Sequence, residues 1–315
     1  MRTFTSYQKD FATFSGNGST TAPTTNSYDN ITWGMRMICD NIRQLATVFY
    51  FNEVPYIVPG GTVANQQGYT LPGDFESLMN ITVQVGGILY QPKESPSRRH
   101  FDALNVIQFY NDFPQFYYIF NGKILLYPTP ASNSNVMTIN YKKRIRDISM
   151  PDVTNVIAST TISATINTTT ITASGATFAQ WMSYSGWIQI PFSSTDASSG
   201  DNTWYQIASV TNSTHLELKN PYNGASVTGA NFTIGDVPIL PEDYQDLPLY
   251  KALRLYFTSR VPDQSFTQRS IDFGQMYDAG YALLEAKYGS KNTSPVLNDT
   301  EAQVWNPNLF PRSIG

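Results

Sequence analysis

The stretch Gly68–Pro92, GYTLPGDFESLMNITVQVGGILYQP, decides how the rest of the chain is read. An extended entry, Tyr69-Thr70-Leu71-Pro72, passes through a Gly73-Asp74 turn into a run of period two. Ile81, Val83 and Val85 face one way, and Thr82, Gln84 and Gly86 face the other. Gly86-Gly87 then turns the chain back on itself. The same period holds from Val54 to about Asp147. In FPQFYYIFNGKILLYPTP, Asn121-Gly122 is a two-residue hairpin signal between two apolar runs, and VMTINYKKRIRDI alternates through Met137, Ile139 and Tyr141. The middle of the chain therefore reads as a small antiparallel sheet.

On the N-terminal side the period is helical. Phe4, Tyr7, Phe11 and Phe14 form a stripe that stops at Gly16, and the polar linker NGSTTAPTTNS follows. Ile31, Met35, Ile38, Ile42, Leu45 and Phe49 then form a second stripe in steps of four and three. On the other side, residues 156–236 are poor in charge and rich in Thr, with five or six short strand patterns separated by Gly, Asn and Ser. That spacing predicts an inserted β-barrel or sandwich. From Pro238 the chain turns helical again: Tyr244, Leu247, Tyr250, Leu253 and Phe257 form one stripe. A two-residue break at Pro262-Asp263 precedes a second, carrying Phe273, Tyr277, Tyr281, Leu284 and Tyr288.

No apolar stripe of this width is stable in water, so the two pairs of helices are expected to meet. The fold class is α+β: a helical bundle from the N- and C-terminal helices, a small antiparallel sheet, and an inserted β-barrel or sandwich. The expected domains are 1–155 with 237–292 as a core, 156–236 as the insert, and 293–315 as an extended tail.

Composition narrows the function. Charged residues make up 14% of the 315, against ~25% in an average soluble protein, so much of the surface is uncharged. Lateral packing against other subunits and a β-rich fold of low charge both account for this. A net charge of -4 gives no global field to attract nucleic acid, so any DNA contact must be local. The N-terminus lacks the pattern of a secretory signal, no run is long enough for a membrane span, and a cytosolic origin with no membrane partner is expected.

Candidate chemistry is sparse. Cys39 lies on an apolar helical pattern and reads as a buried thiol. His100 and His215 fall in different β regions without metal-ligand spacing. Glu242, Asp243 and Asp246 are the one tight carboxylate cluster, and electrostatics at a helix start accounts for them. No phosphate loop is present. The chain reads as having no catalytic residues, no cofactor and no metal.

Basic residues gather in two places. Lys142, Arg144 and Arg146 would share one face of a strand, and Arg98 and Arg99 precede His100 in a loop. A solvated face is the ordinary reading, and contact with phosphates or an acidic partner is the alternative. Trp181, Trp187 and Trp204 could stack on sugars in a tail-associated carbohydrate-binding or other tail structural protein, but their alternation within strands favours the core. In the tail, Trp305, Pro307, Phe310 and Pro311 have no local core to enter and suit a partner's surface.

The helical start, Y-x-LP-x-DF at Tyr69–Phe75, the G-x-L-Y turn strand, I-x-L-Y-P-x-P from Ile124 to Pro130, and the closing helices LPEDYQDLPLYKALRLYF and YALLEAKYGSK resemble head-to-tail adaptor (connector) proteins of tailed bacteriophages. The similarity covers 26–150 and 238–292. It implies a structural virion protein, assembled in the host cytoplasm, that forms a ring of usually twelve copies beneath the portal protein. Such a ring extends the channel for double-stranded DNA and docks the next tail or nozzle protein. It also implies that the tail reaches the portal.

Overall fold

The computed structural model describes residues 1–16, 25–106, 109–175, 177–192, 199–259 and 264–289. Two helices, α1 (Phe4–Phe14) and α2 (Thr25–Val48), open the chain. Strands β1 (Glu53–Ile57), β2 (Gly68–Thr70), β3 (Phe75–Val85), β4 (Ile88–Tyr90) and β5 (Lys93–Glu94) lead to the short helix α3 (Arg98–Leu104). Then come β6 (Phe116–Phe120), β7 (Lys123–Tyr127), β8 (Val136–Lys143), β9 (Val153–Thr154), α4 (Asn155–Ala158), β10 (Ile162–Ala164) and β11 (Thr170–Ala173). After α5 (Met182–Ser185) follow β12 (Gly186–Gln189), β13 (Trp204–Asn212), β14 (His215–Leu218), β15 (Val227–Ala230) and β16 (Thr233–Asp236). A single 3-10 turn, Glu242–Tyr244, precedes α6 (Leu247–Thr258) and α7 (Gln264–Tyr288).

The chain is mixed helix and sheet, and it divides into two compact units: Tyr50–Arg146, and Met1–Phe49 together with Asp147–Gly315. This division differs from the expected one, in which 1–155 joined 237–292 and 156–236 stood apart. The middle sheet region separates, and the Thr-rich strands stay with the helices.

In Tyr50–Arg146 the period-two pattern yields two four-stranded sheets where one was expected, in the orders β1-β8-β3-β4 and β2-β7-β6-β5. They share one core. Ile81, Val83, Met137, Ile139 and Tyr141 come from the first sheet, and Tyr69, Tyr117, Ile124 and Leu126 from the second. Pairing is antiparallel except between β5 and β6. Both predicted hairpins form. Val85 pairs with Ile88 across Gly86-Gly87, and Phe120 with Lys123 across Asn121-Gly122, all four turn residues having positive φ as a tight hairpin of matching twist requires.

The opening stretch is the passage between the two sheets. Tyr69 belongs to β2, its hydroxyl donating to the Gln66 carbonyl at 3.0 Å, and five residues later Asp74 leads into β3. There the Asp74 carboxylate accepts the Tyr141 hydroxyl at 2.7 Å and its carbonyl accepts the Arg144 N–H at 2.6 Å. At the other edge, the Val58 N–H donates to Met137 and Asn52 accepts from Lys143, so even-numbered residues of β1 face β8. Pro55 therefore turns its missing N–H outward, where an edge strand tolerates it.

In the other unit, helices from both ends of the chain pack together: α1 on α2 and α6, α2 on α6, and α6 on α7. Tyr7, Phe11, Ile38 and Leu253 are fully buried, and burying one such side chain contributes about 1.5–3 kcal/mol. Phe11 sets its ring edge-on to Tyr256 at 5.5 Å, and Phe49 meets Tyr281 at 5.7 Å. Helix α7 runs antiparallel to α6, since Phe257 stacks on Phe273 at 6.0 Å while Tyr244 meets Tyr288 at 6.1 Å. Helix α6 ends at Thr258 and α7 begins at Gln264, and the two-residue break predicted at Pro262-Asp263 lies outside the described residues.

The remaining strands form one sheet in the order β15-β10-β11-β14-β13-β12-β16-β9. Strands β15 and β16 lie six steps apart, about 29 Å in a flat sheet. Only two residues separate Ala230 from Thr233, a reach of at most about 11 Å. The sheet must therefore curl until its ends approach, enclosing Ile171, Ile188, Leu216, Tyr222, Phe232 and Ile234. Its first strand, β9, starts three residues before the predicted insert.

Candidate interaction surfaces

Each chemical candidate has a structural occupation. Buried Cys39 donates to the Ile148 carbonyl at 3.6 Å, and burial pushes its thiol up to about 12. His100 lies on α3 with Nδ1 2.9 Å from the Ser95 hydroxyl, and His215 contacts Thr214 and Asn212. Among the described residues no group of three or more His, Cys, Asp or Glu could hold a metal ion.

The carboxylate cluster at the start of α6 is engaged by cations. The Met1 amine pairs with Glu242, Lys287 with Asp243 at 3.3 Å, and the Arg2 guanidinium bridges Asp246 and Asp10. Burial opposes the Arg2 charge, but hydrogen bonds to the two carboxylates outweigh it and raise its pKa above the ordinary value. At Glu242 and Asp246 the expected helix-start role is thus extended by partners more than 200 residues away in sequence, which no local pattern signals.

A second feature escaped the sequence reading for the same reason. Thr3 caps α1 and also donates its hydroxyl to Asp152 at 2.9 Å, while Asp152 N–H donates to Thr5 at 2.9 Å. Thr3 lies so close to Gly235 on β16 that a Cβ there would stand 2.2 Å from its methyl group. Next to Gly235, fully buried Asp236 accepts the Ser149 and Met150 N–H groups at 2.9 and 3.2 Å and the Ser185 hydroxyl. Residues 1–5 therefore clasp the curled sheet on one side and the start of α6 on the other.

The basic residues are arranged differently from the expectation. Arg98 and Arg99 open a helix, not a loop: Ser97 caps α3 by accepting the His100 N–H. Arg98 pairs with Asp102 one turn on, at 2.8 Å, and lies 4.0 Å over the Phe120 ring. Only Lys142 of the other three is in a strand, because β8 ends at Lys143. Its ammonium lies 4.4 Å over Tyr50, while Arg144 and Arg146 are exposed beyond the strand end. Lys142 is on β8 and Arg98 on α3, and the face expected for Lys142, Arg144 and Arg146 is cut short by the end of the strand. Trp305, Pro307, Phe310 and Pro311 lie outside the described residues.

The β3–β4 hairpin is uncharged and ends in apolar side chains. No charged residue occurs from Ser77 to Pro92, and at its end Ile88 and Leu89 are 60% and 65% exposed. No helix among the described residues is long and apolar enough to cross a membrane.

Residues 9–166, half of the chain, match the family model of the SU10 adaptor protein. The match runs from α1 through both sheets of the middle unit into β10, and so contains the 26–150 segment on which the adaptor resemblance rests. The closing helices lie outside it. No curated protein matches the chain. The two hairpin sheets, the helices leading into them and this match together place the chain: it belongs to the SU10 adaptor protein family, structural adaptors of the phage virion.

Proposed function

We propose that the protein is a subunit of the head-to-tail adaptor ring beneath the portal, extending the DNA channel and docking the next tail or nozzle component. The family match over residues 9–166 carries this reading. The low content of charge supports it, because a channel wall without a strong positive field avoids the counterion-release affinity that would grip sliding DNA. A ring, twelve copies in this reading, uses two different faces of each subunit. The helices from both chain ends act as one supporting bundle, and the uncharged β3–β4 hairpin, with Ile88 and Leu89 exposed at its end, is a contact element. Arg99 and Arg144 are exposed and are the basic side chains best placed for an acidic partner or phosphate, since Arg98 is engaged by Asp102 and Lys142 by Tyr50.

In this reading the tail, through Trp305, Pro307, Phe310 and Pro311, docks on the portal. Mass measurement of the chain with and without the portal ring tests the assembly. A defined multimer should form with the portal, and a chain that stays monomeric beside it would refute the reading. Deletion of residues 293–315 should abolish docking and leave the circular dichroism spectrum unchanged, whereas docking by the truncated chain would remove the tail from the mechanism.

A further inference from the structure

The tryptophans of the curled sheet are not where their alternation suggested. On β12 and β13 the inward residues are Ile188, Tyr205 and Ile207, each at most 7% exposed. Trp187 and Trp204 alternate with them and therefore point to the outer face, half-buried, and neither packs against the interior cluster, which takes Trp181 instead. The register pairs Trp187 with Gln206 and Gln189 with Trp204. The outer face thus carries a chequerboard of two indoles and two amides. Facing partners lie about 4.5–5.5 Å apart and the two indoles diagonally about 7–8 Å apart. Thr233 on β16 continues the patch beside Gln189.

Two properties define what this surface can take. It has no charge: Trp187, Gln189, Trp204, Gln206 and Thr233 are all neutral. It is also short of partners. Among the described residues neither indole N–H has an acceptor and the Gln206 amide has no hydrogen bond, while the Gln189 amide donates to the Asn202 carbonyl at 2.9 Å. Planar apolar faces interleaved with free amide donors and acceptors complement a ligand with apolar C–H faces edged by hydroxyls. An aliphatic protein surface would leave the amides unsatisfied, and the one cation bordering the five side chains is Lys219, whose N–H donates to the Gln206 carbonyl at 2.9 Å.

We infer that the outer face of β12 and β13 is a binding platform for a neutral oligosaccharide, with Trp187 and Trp204 stacking on sugar rings and Gln206 bonding to their hydroxyls. This goes beyond the adaptor role and does not depend on it. The full chain is titrated, by calorimetry and tryptophan fluorescence, against a panel of neutral oligosaccharides: linear β-glucans, mannans, galactans and N-acetylglucosamine oligomers. At least one should bind and shift the fluorescence. Trp204→Ala and Trp187→Ala should each weaken it about tenfold or more, and Trp204→Phe should retain most of the affinity, thermal melts showing that all three variants fold. Failure of every glycan to bind, or binding unchanged in the Trp187→Ala/Trp204→Ala double variant, overturns the platform. So does self-association of the chain that Trp204→Ala abolishes, which would give the face to a second copy.

Discussion

Replacing Gly34 with alanine sets two well-measured effects against each other. Gly34 lies within α2, where alanine is favoured over glycine by about 1 kcal/mol through backbone entropy. A Cβ at this position would stand 2.3 Å from two carbons of the Phe11 ring and 2.7 Å from a third. That ring is fully buried and is backed by Tyr256, so it cannot swing clear. Overpacking of this kind costs about 1–3 kcal/mol. The net expectation is a loss of about 1 kcal/mol, rising to about 2 if the ring is held rigidly. In a unit of roughly 200 residues that lowers the melting temperature by about 2–8 °C.

The reading is checked by a double-mutant cycle in urea. Phe11→Ala alone should cost about 3–5 kcal/mol. In that background Gly34→Ala should become neutral or stabilising, leaving a coupling of about 1–3 kcal/mol between the two sites. A stabilising single Gly34→Ala, or additive effects, would show that α1 does not cross α2 at this glycine, and the packing of the two chain ends would need redrawing.

Gly122→Ala should destabilise the middle unit by about 1–2 kcal/mol through backbone strain alone, because φ is +70° and no atom lies within 4 Å of the new Cβ; differential scanning calorimetry measures it, and an unchanged melt would contradict the hairpin geometry. Cys39 should resist iodoacetamide at pH 8 and react freely in denaturant, since its folded pKa is raised to about 12. The sign follows: stability contributed by the protonated thiol is complete below the ordinary thiol pKa and is lost as pH rises from there toward 12. A Cys39→Ser variant should flatten that part of the stability profile, and an identical slope in the variant would assign it to other groups.

What was legible in the sequence was local. The α2 stripe and the Asn121-Gly122 hairpin depend on residues within a turn or two of one another, and both formed as read. The second sheet of the middle unit was invisible because period two says which residues share a face, not which strands pair. The Ser97 cap before Arg98 was a readable helix signal, but α3 has only seven residues and too little periodicity to stand out. For Trp187 and Trp204 the alternation was correct and the face was not, since choosing the inner face requires knowing that Ile188 and Tyr205 share one buried cluster with Leu216 and Ile234. The clasp at residues 1–5 joins positions up to 244 apart, beyond any sequence window.

That joining of residues 1–5 to the start of α6 orders events on the ribosome. The unit from Tyr50 to Arg146 has all its strands once it emerges, and can fold at once. Helix α2 has no such option, because α6, which covers its stripe, is made roughly 200 residues later, a wait of about 10–40 s at bacterial elongation rates. For that interval Ile38, Ile42 and Leu45 are an open invitation to chaperones or to another nascent copy. Slowed translation between the two helices would lengthen this exposure and reduce the soluble yield.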